Sequence, residues 1–192
     1  MRFLPLSLLF LIVAGCGSRG EATPAGAHAR LVAAVAAHDS TLLWDALDLE
    51  TRWSWMTVLR AWREAYDITQ SVVPEGPERT RLLARFEAGA STESARALFA
   101  RMLTTPEWSR LQALVAAAGA RLPDSAAAGK SSELTTPVGS LLYRKGHGWR
   151  SGWGYAGLSP RAEQLRFAAT ADLERMRKDA ADYERAATRG RP

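Results

Sequence analysis

The sequence predicts a helix-dominant α+β fold, and three observations carry that prediction. Apolar residues recur at three- and four-residue spacing from about His28 to Ala118. The period then shortens to two between about Glu133 and Ala156, and a long helical period resumes at Ser159-Pro160. The expected order is about six N-terminal helices, one β-hairpin over about 133–156 and a C-terminal helix over about 160–188.

The first helix carries Leu31, Val32 and Val35 and breaks at His38-Asp39. Asp39 suits the N-cap of a short second helix with Leu43 and Leu47, because its carboxylate can accept from the free N–H groups of a first turn. Thr51 is the expected cap of a third helix, on which Trp55, Leu59, Trp62 and Tyr66 form an aromatic face. Pro74-Glu75-Gly76-Pro77 reads as a turn into a fourth helix with Leu82, Leu83 and Phe86, ended by Gly89. Ser91 or Thr92 opens a fifth, bearing Leu98, Phe99, Met102 and Leu103. Thr105 caps a sixth with Pro106 at its first position, and Gly119 closes it after Trp108, Leu111, Leu114, Val115 and Ala118. Residues 123–130 read as a loop.

In the hairpin, Glu133 to Arg144 and Trp149 to Ala156 are the expected strands, joined by Lys145-Gly146-His147-Gly148. Pro137 marks the first strand as an edge or a bulge. Trp149, Trp153 and Tyr155 fall on one face of the second strand, which is either the sheet's core side or a platform for a sugar ring or apolar ligand. The last helix carries a narrow seam of Ala169, Leu173, Met176, Ala180, Tyr183 and Ala187, suited to packing within the domain or against a second copy.

The start of the chain bears on location. Arg2 precedes an apolar run from Phe3 to Val13, the layout of an export signal, and the run is shorter than the roughly 20 apolar residues that span a bilayer. Val13-Ala14-Gly15-Cys16 resembles the lipobox of bacterial lipoproteins. A thiol can take a diacylglycerol as a thioether, and small residues before it admit a peptidase to the Gly15–Cys16 bond. The resemblance implies removal of residues 1–15, lipid and palmitate-type acyl chains on Cys16, and anchorage in the cell envelope. Two or more acyl chains hold a protein stably where one does not. Gly17 stands where an Asp commonly retains lipoproteins at the inner membrane, so the periplasmic face of the outer membrane is the favoured site. The expected division is a signal at 1–15, a flexible tether at 16–27, one globular domain at 28–188 and a disordered tail at 189–192.

Composition narrows the chemistry. Cys16 is the only cysteine, which removes disulfides and cysteine-based metal sites. The histidines are three, His28, His38 and His147, without ligand spacing, so no metal or other cofactor is expected. Net charge is +5, of which Arg2 leaves with the signal. The arginines are interspersed with acids rather than gathered in blocks, so no nucleic acid is expected despite a pI near 9.9. Gly129-Lys130-Ser131 imitates the end of a phosphate-binding loop, but Asp124 stands where its first glycine is needed. His38-Asp39-Ser40 has the residue types of a triad, yet sequence neighbours cannot face one another as a triad requires.

The stretch Thr41-Leu42-Leu43-Trp44-Asp45-Ala46-Leu47 after His38-Asp39, with Gly146-His147-Gly148-Trp149-Arg150 later on, resembles secreted NTF2-like domains. That likeness implies a helix-backed curved sheet enclosing a cone-shaped pocket, and it assigns no particular site residue. The chain departs from it in showing one hairpin where that fold needs several strands. Three functions follow as expectations. The first is a non-enzymatic binding or assembly role at the periplasmic face, with the membrane engaged through Cys16 and a protein partner or unknown ligand. The second is a pocket hydrolase or isomerase using His38 or His147 as base, and the third a homodimer through the C-terminal seam.

Overall fold

The computed structural model describes residues 21–119, 121, 123, 129–147 and 152–189. The expected signal at 1–15, Cys16, Gly148, Trp149 and residues 190–192 of the expected tail lie outside the described residues. The element order is α1 (Pro24–Ala37), α2 (Ser40–Ala46), α3 (Leu49–Val72), α4 (Pro77–Ala90), α5 (Ala95–Met102), α6 (Thr105–Ala118), β1 (Ser131–Thr136), β2 (Gly139–Lys145), β3 (Trp153–Tyr155) and α7 (Ser159–Arg189). This is a helix-dominant α+β architecture with one small antiparallel sheet and a long terminal helix.

Local signals set most boundaries. Asp39 caps α2 by accepting from the N–H groups of Thr41 and Leu42, and the chain turns into it through His38, whose φ of 50° is left-handed. The cap of α3 is Asp48 rather than Thr51; its carboxylate accepts from the Thr51 N–H, and Thr51 is buried one turn in. Ser94 and Thr104, each a little offset from the expected caps, begin α5 and α6, and Glu107 completes a capping box with Thr104. Gly89 does not end α4. It lies inside the helix, where a Cβ would stand 2.4 Å from the Trp62 Cβ, so its missing side chain lets α4 close on α3.

The expected hairpin carries three strands instead of two, in the order β1-β2-β3. Pro137 and Val138 form a turn between β1 and β2, with Thr136 opposite Gly139. A proline supplies no N–H to a ladder and its fixed φ favours a turn, so the long first strand folds back there. β2 and β3 pair with Tyr143 opposite Tyr155 and Lys145 opposite Trp153. The far edge of β3 is also covered. Trp153 exchanges both backbone hydrogen bonds with Glu21, and the Asp48 N–H donates to the Tyr155 carbonyl at 3.0 Å.

That pairing shortens the expected tether. Residues 21–27 belong to the fold: Glu21 is bridged to Trp153 and ion-paired with Arg30, and α1 starts at Pro24 behind a Thr23 cap.

The core is built around α3. It packs along α4 on one side and α7 on another, with Arg177 of α7 reaching Glu64 and Arg85 of α4 reaching Asp172. Ala169, Leu173 and Met176 are buried here, so the first half of the terminal seam is used within the chain, while Tyr183 beyond it is exposed. At the other end Phe99 sits between Trp44 and Trp55, with ring centroids 5.8 and 5.6 Å away.

Candidate functional site

The three histidines have three different surroundings. His38 is exposed and stacks on Trp108 at 4.4 Å between ring centroids. His147 is on the surface with its Nδ1 3.8 Å from Glu50, a carboxylate already ion-paired with Arg144. Neither stands in an enclosed cavity beside a free carboxylate, the arrangement that a catalytic base in the enzymatic reading would need.

His28 is the buried one, at 3 % exposure, and its Nδ1 lies 2.6 Å from the Tyr143 hydroxyl. Tyr143 is fully buried on β2 and burial pushes its phenol far up, so the hydroxyl stays protonated, and which partner donates follows the His28 tautomer. The pair ties α1 to the sheet. Sequence reading placed His28 only at a helix start, although its spacing of three and seven to Leu31 and Val35 puts it on the same buried face.

Burial lowers the His28 pKa below 6.5. The unfolded chain therefore binds more protons than the folded one just below pH 6.5, and stability is complete above that value and declines as pH falls. Asp48, whose carboxyl is raised by burial against the opposing pull of Thr51 and Arg144, has the opposite sign. Urea unfolding of the wild type and His28→Gln at pH 7.5 and 5.5 separates the two. The expected outcome is a smaller acid-induced loss in the variant; equal losses would remove His28 as the source.

Trp153 and Tyr155 are both buried, so they form part of the core and not an open aromatic platform. Tyr143 and Tyr155 approach with centroids 6.0 Å apart on the same sheet face. Trp149, the third member of that row, lies outside the described residues, as does Cys16.

Another concavity lies on α3. A groove of about 600 Å³ runs between the outer face of α3 and the start of α5. Trp44, Met56, Leu59 and Ala95 form its apolar floor, and Arg60, Arg63 and Arg96 stand at its rim with Glu64 and Asp67. Two rim arginines are held in place: Arg63 donates to the Thr92 carbonyl and Arg96 to the Asp45 carboxylate at 2.8 Å. Arg60 has no ion-pair partner among the described residues. Comparisons with protein-family models, with curated proteins and with solved structures return no match. Function must therefore be read from the surface itself.

Two large apolar side chains are exposed on this side of α3. Met56 is 53 % exposed, and Trp53, one turn earlier on the same side of α3, is 58 % exposed beside a second hollow lined by Ser54, Thr57 and Arg166. Leu42 on α2 is exposed as well. Sequence reading found the inner face of α3 and passed over this outer one, because a groove depends on where α5 is docked. Among the described residues no helix is long and apolar enough to cross a membrane, and no cluster of three metal-ligating side chains occurs.

Proposed function

We propose that the chain is a lipid-anchored envelope protein whose domain docks an amphipathic helix of a partner protein along α3. The observation that carries the docking half is the exposed row Trp53, Met56 and Arg60 on α3, of which Met56 and Arg60 line the groove and Trp53 the hollow beside it. Exposed aromatic and methionine side chains ringed by arginine are the composition of interface hot spots, and a helix laid in a groove uses such a row through residues three and four apart. Arg60, without an ion-pair partner among the described residues, and the neighbouring Arg63 call for acidic residues beside the partner's apolar stripe. The exposed positions of His38 and His147 favour binding over the hydrolase or isomerase alternative. The burial of Ala169, Leu173 and Met176 leaves little seam for the homodimer alternative.

The anchoring half rests on Val13-Ala14-Gly15-Cys16. The Cys16 thiol displaces the phosphorylated headgroup of a phospholipid to form a thioether, and hydrolysis before Cys16 frees an amine for a further acyl chain. The outer membrane, with the domain facing the periplasm, is the favoured location by the residue at Gly17. Labelled palmitate is expected to enter the wild type and not Cys16→Ser, and the variant is expected to leave the membrane fraction. Equal labelling would refute the anchor.

A photoreactive amino acid placed at Met56 in cells tests the docking. The expected product is a protein adduct that maps to an amphipathic helix with acidic flanks and falls several-fold with Arg60→Glu. An adduct of twice the chain's own mass would favour the homodimer. Adducts no stronger than at exposed Glu133 would end the docking reading.

A further inference from the structure

A second cavity, of about 300 Å³, lies between α6, β2 and the connection from β3 to α7, away from the α3 groove. Its walls differ from the groove's in one decisive respect. Tyr155, only 3 % exposed, lines the cavity, and its hydroxyl has no hydrogen-bond partner among the described residues. The side chain is buried but its hydroxyl tip keeps contact with solvent, so a ligand oxygen entering the cavity can take the proton that water takes in its absence.

The placement is specific. A Cβ on Gly157 would stand 2.1 Å from the Tyr155 hydroxyl, so this phenol occupies space that any other residue at 157 would fill. Burial pushes the phenol up to about 12 while Arg110 pulls it the other way, so it remains a hydrogen-bond donor at neutral pH. Arg110 also lines the cavity and has no ion-pair partner among the described residues. The other guanidinium there, Arg161, is already paired with Glu107 and donates to the Met102 carbonyl at 2.8 Å. Among the described residues two cations therefore face one carboxylate, and the charge left over is that of Arg110. The Ser140 hydroxyl supplies a third polar edge, and Leu111, Leu114 and Leu158 supply an apolar wall. A donor and a free cation facing such a wall select an anion with an apolar body.

We propose that this cavity binds a small carboxylate with a compact apolar body, its oxygens held by Arg110 and the Tyr155 hydroxyl. The volume is at the lower end for ligand cavities, which suits a body of about one or two rings. The site is independent of partner docking on α3, and either can fail without the other.

Benzoate and benzamide are matched probes, differing in charge but hardly in shape. Saturation-transfer NMR on the full lipidated protein in nanodiscs, with empty nanodiscs subtracted, measures both, and inorganic phosphate serves as a competitor lacking the apolar body. The expected result is saturable benzoate binding that weakens about tenfold in Arg110→Gln and several-fold in Tyr155→Phe, with benzamide bound at least tenfold more weakly. Arg110 is exposed, so its variant is expected to unfold at the wild-type temperature, which separates lost binding from lost fold. Absence of benzoate binding, equal binding of benzamide, or benzoate affinity unchanged in Arg110→Gln would each overturn the proposal. Phosphate displacing benzoate at equal concentration would overturn the role of the apolar wall.

Discussion

Gly154→Ala is expected to destabilise the fold by more than about 3 kcal/mol, enough to unfold much of the population at growth temperature. A Cβ at this position would stand 2.6 Å from the Cα and nitrogen of Asp48 and from the Leu47 carbonyl oxygen. All three are backbone atoms, so no rotamer change relieves the overlap. β3 and the segment between α2 and α3 must separate, and the Asp48 N–H to Tyr155 carbonyl bond goes with them. Two further interactions depend on the same approach: the Asp48 cap on α3 and its ion pair with Arg144 at 3.5 Å. Urea titration at neutral pH provides the measurement. Gly129→Ala is the control, since its Cβ would meet nothing closer than 3.8 Å, and a change within about 0.5 kcal/mol is expected there. Similar losses for the two variants would mean that the close approach at Gly154 has been misread.

Phe99→Ala is the second large expected effect, a loss of about 3–5 kcal/mol. Phe99 is 1 % exposed and touches both Trp44 and Trp55, the rings that join α2, α3 and α5. Truncation removes the transfer energy of the ring and leaves a void between two indoles that cannot both collapse into it. Phe99→Leu is expected to retain more than half of the lost stability, because it refills most of the volume. Trp44 also forms part of the groove floor, so the alanine variant is expected to lose crosslinking at Met56 before it loses its helical circular dichroism. Loss of both signals together would show that the groove has no independent looseness.

The helices were legible because their signals are local. Asp39, Pro77, Gly119 and Ser159-Pro160 each mark an element boundary through backbone chemistry within one turn. The same signals misplaced the start of α3 by assigning the cap to Thr51, since Asp48 and Thr51 both suit that role and only the docking of β3 against Asp48 decides between them. Gly89 was read as a terminator because its real purpose, the contact with Trp62, involves a residue on another helix. Pro137 signalled an interruption, and the turn it makes became evident only with the register of β1 on β2. The candidate sites were less legible still. Both cavities are formed by elements distant in sequence, α3 with α5 and α6 with the β3–α7 connection, so no single window of the sequence contains either one.

The bridge between Glu21 and Trp153 has a consequence for how such a protein would search its surroundings. With lipid on Cys16, only the span from residue 16 to residue 21 separates the bilayer from the fold, about 17 Å when fully stretched. On the proposed anchor, a leash that short would keep the domain against its own leaflet and out of reach of the opposite membrane. Encounters would then become a search in two dimensions, where sharing a leaflet raises the effective concentration of a weakly binding neighbour. Lengthening the leash with a flexible insert after Gly20 would trade that advantage for reach.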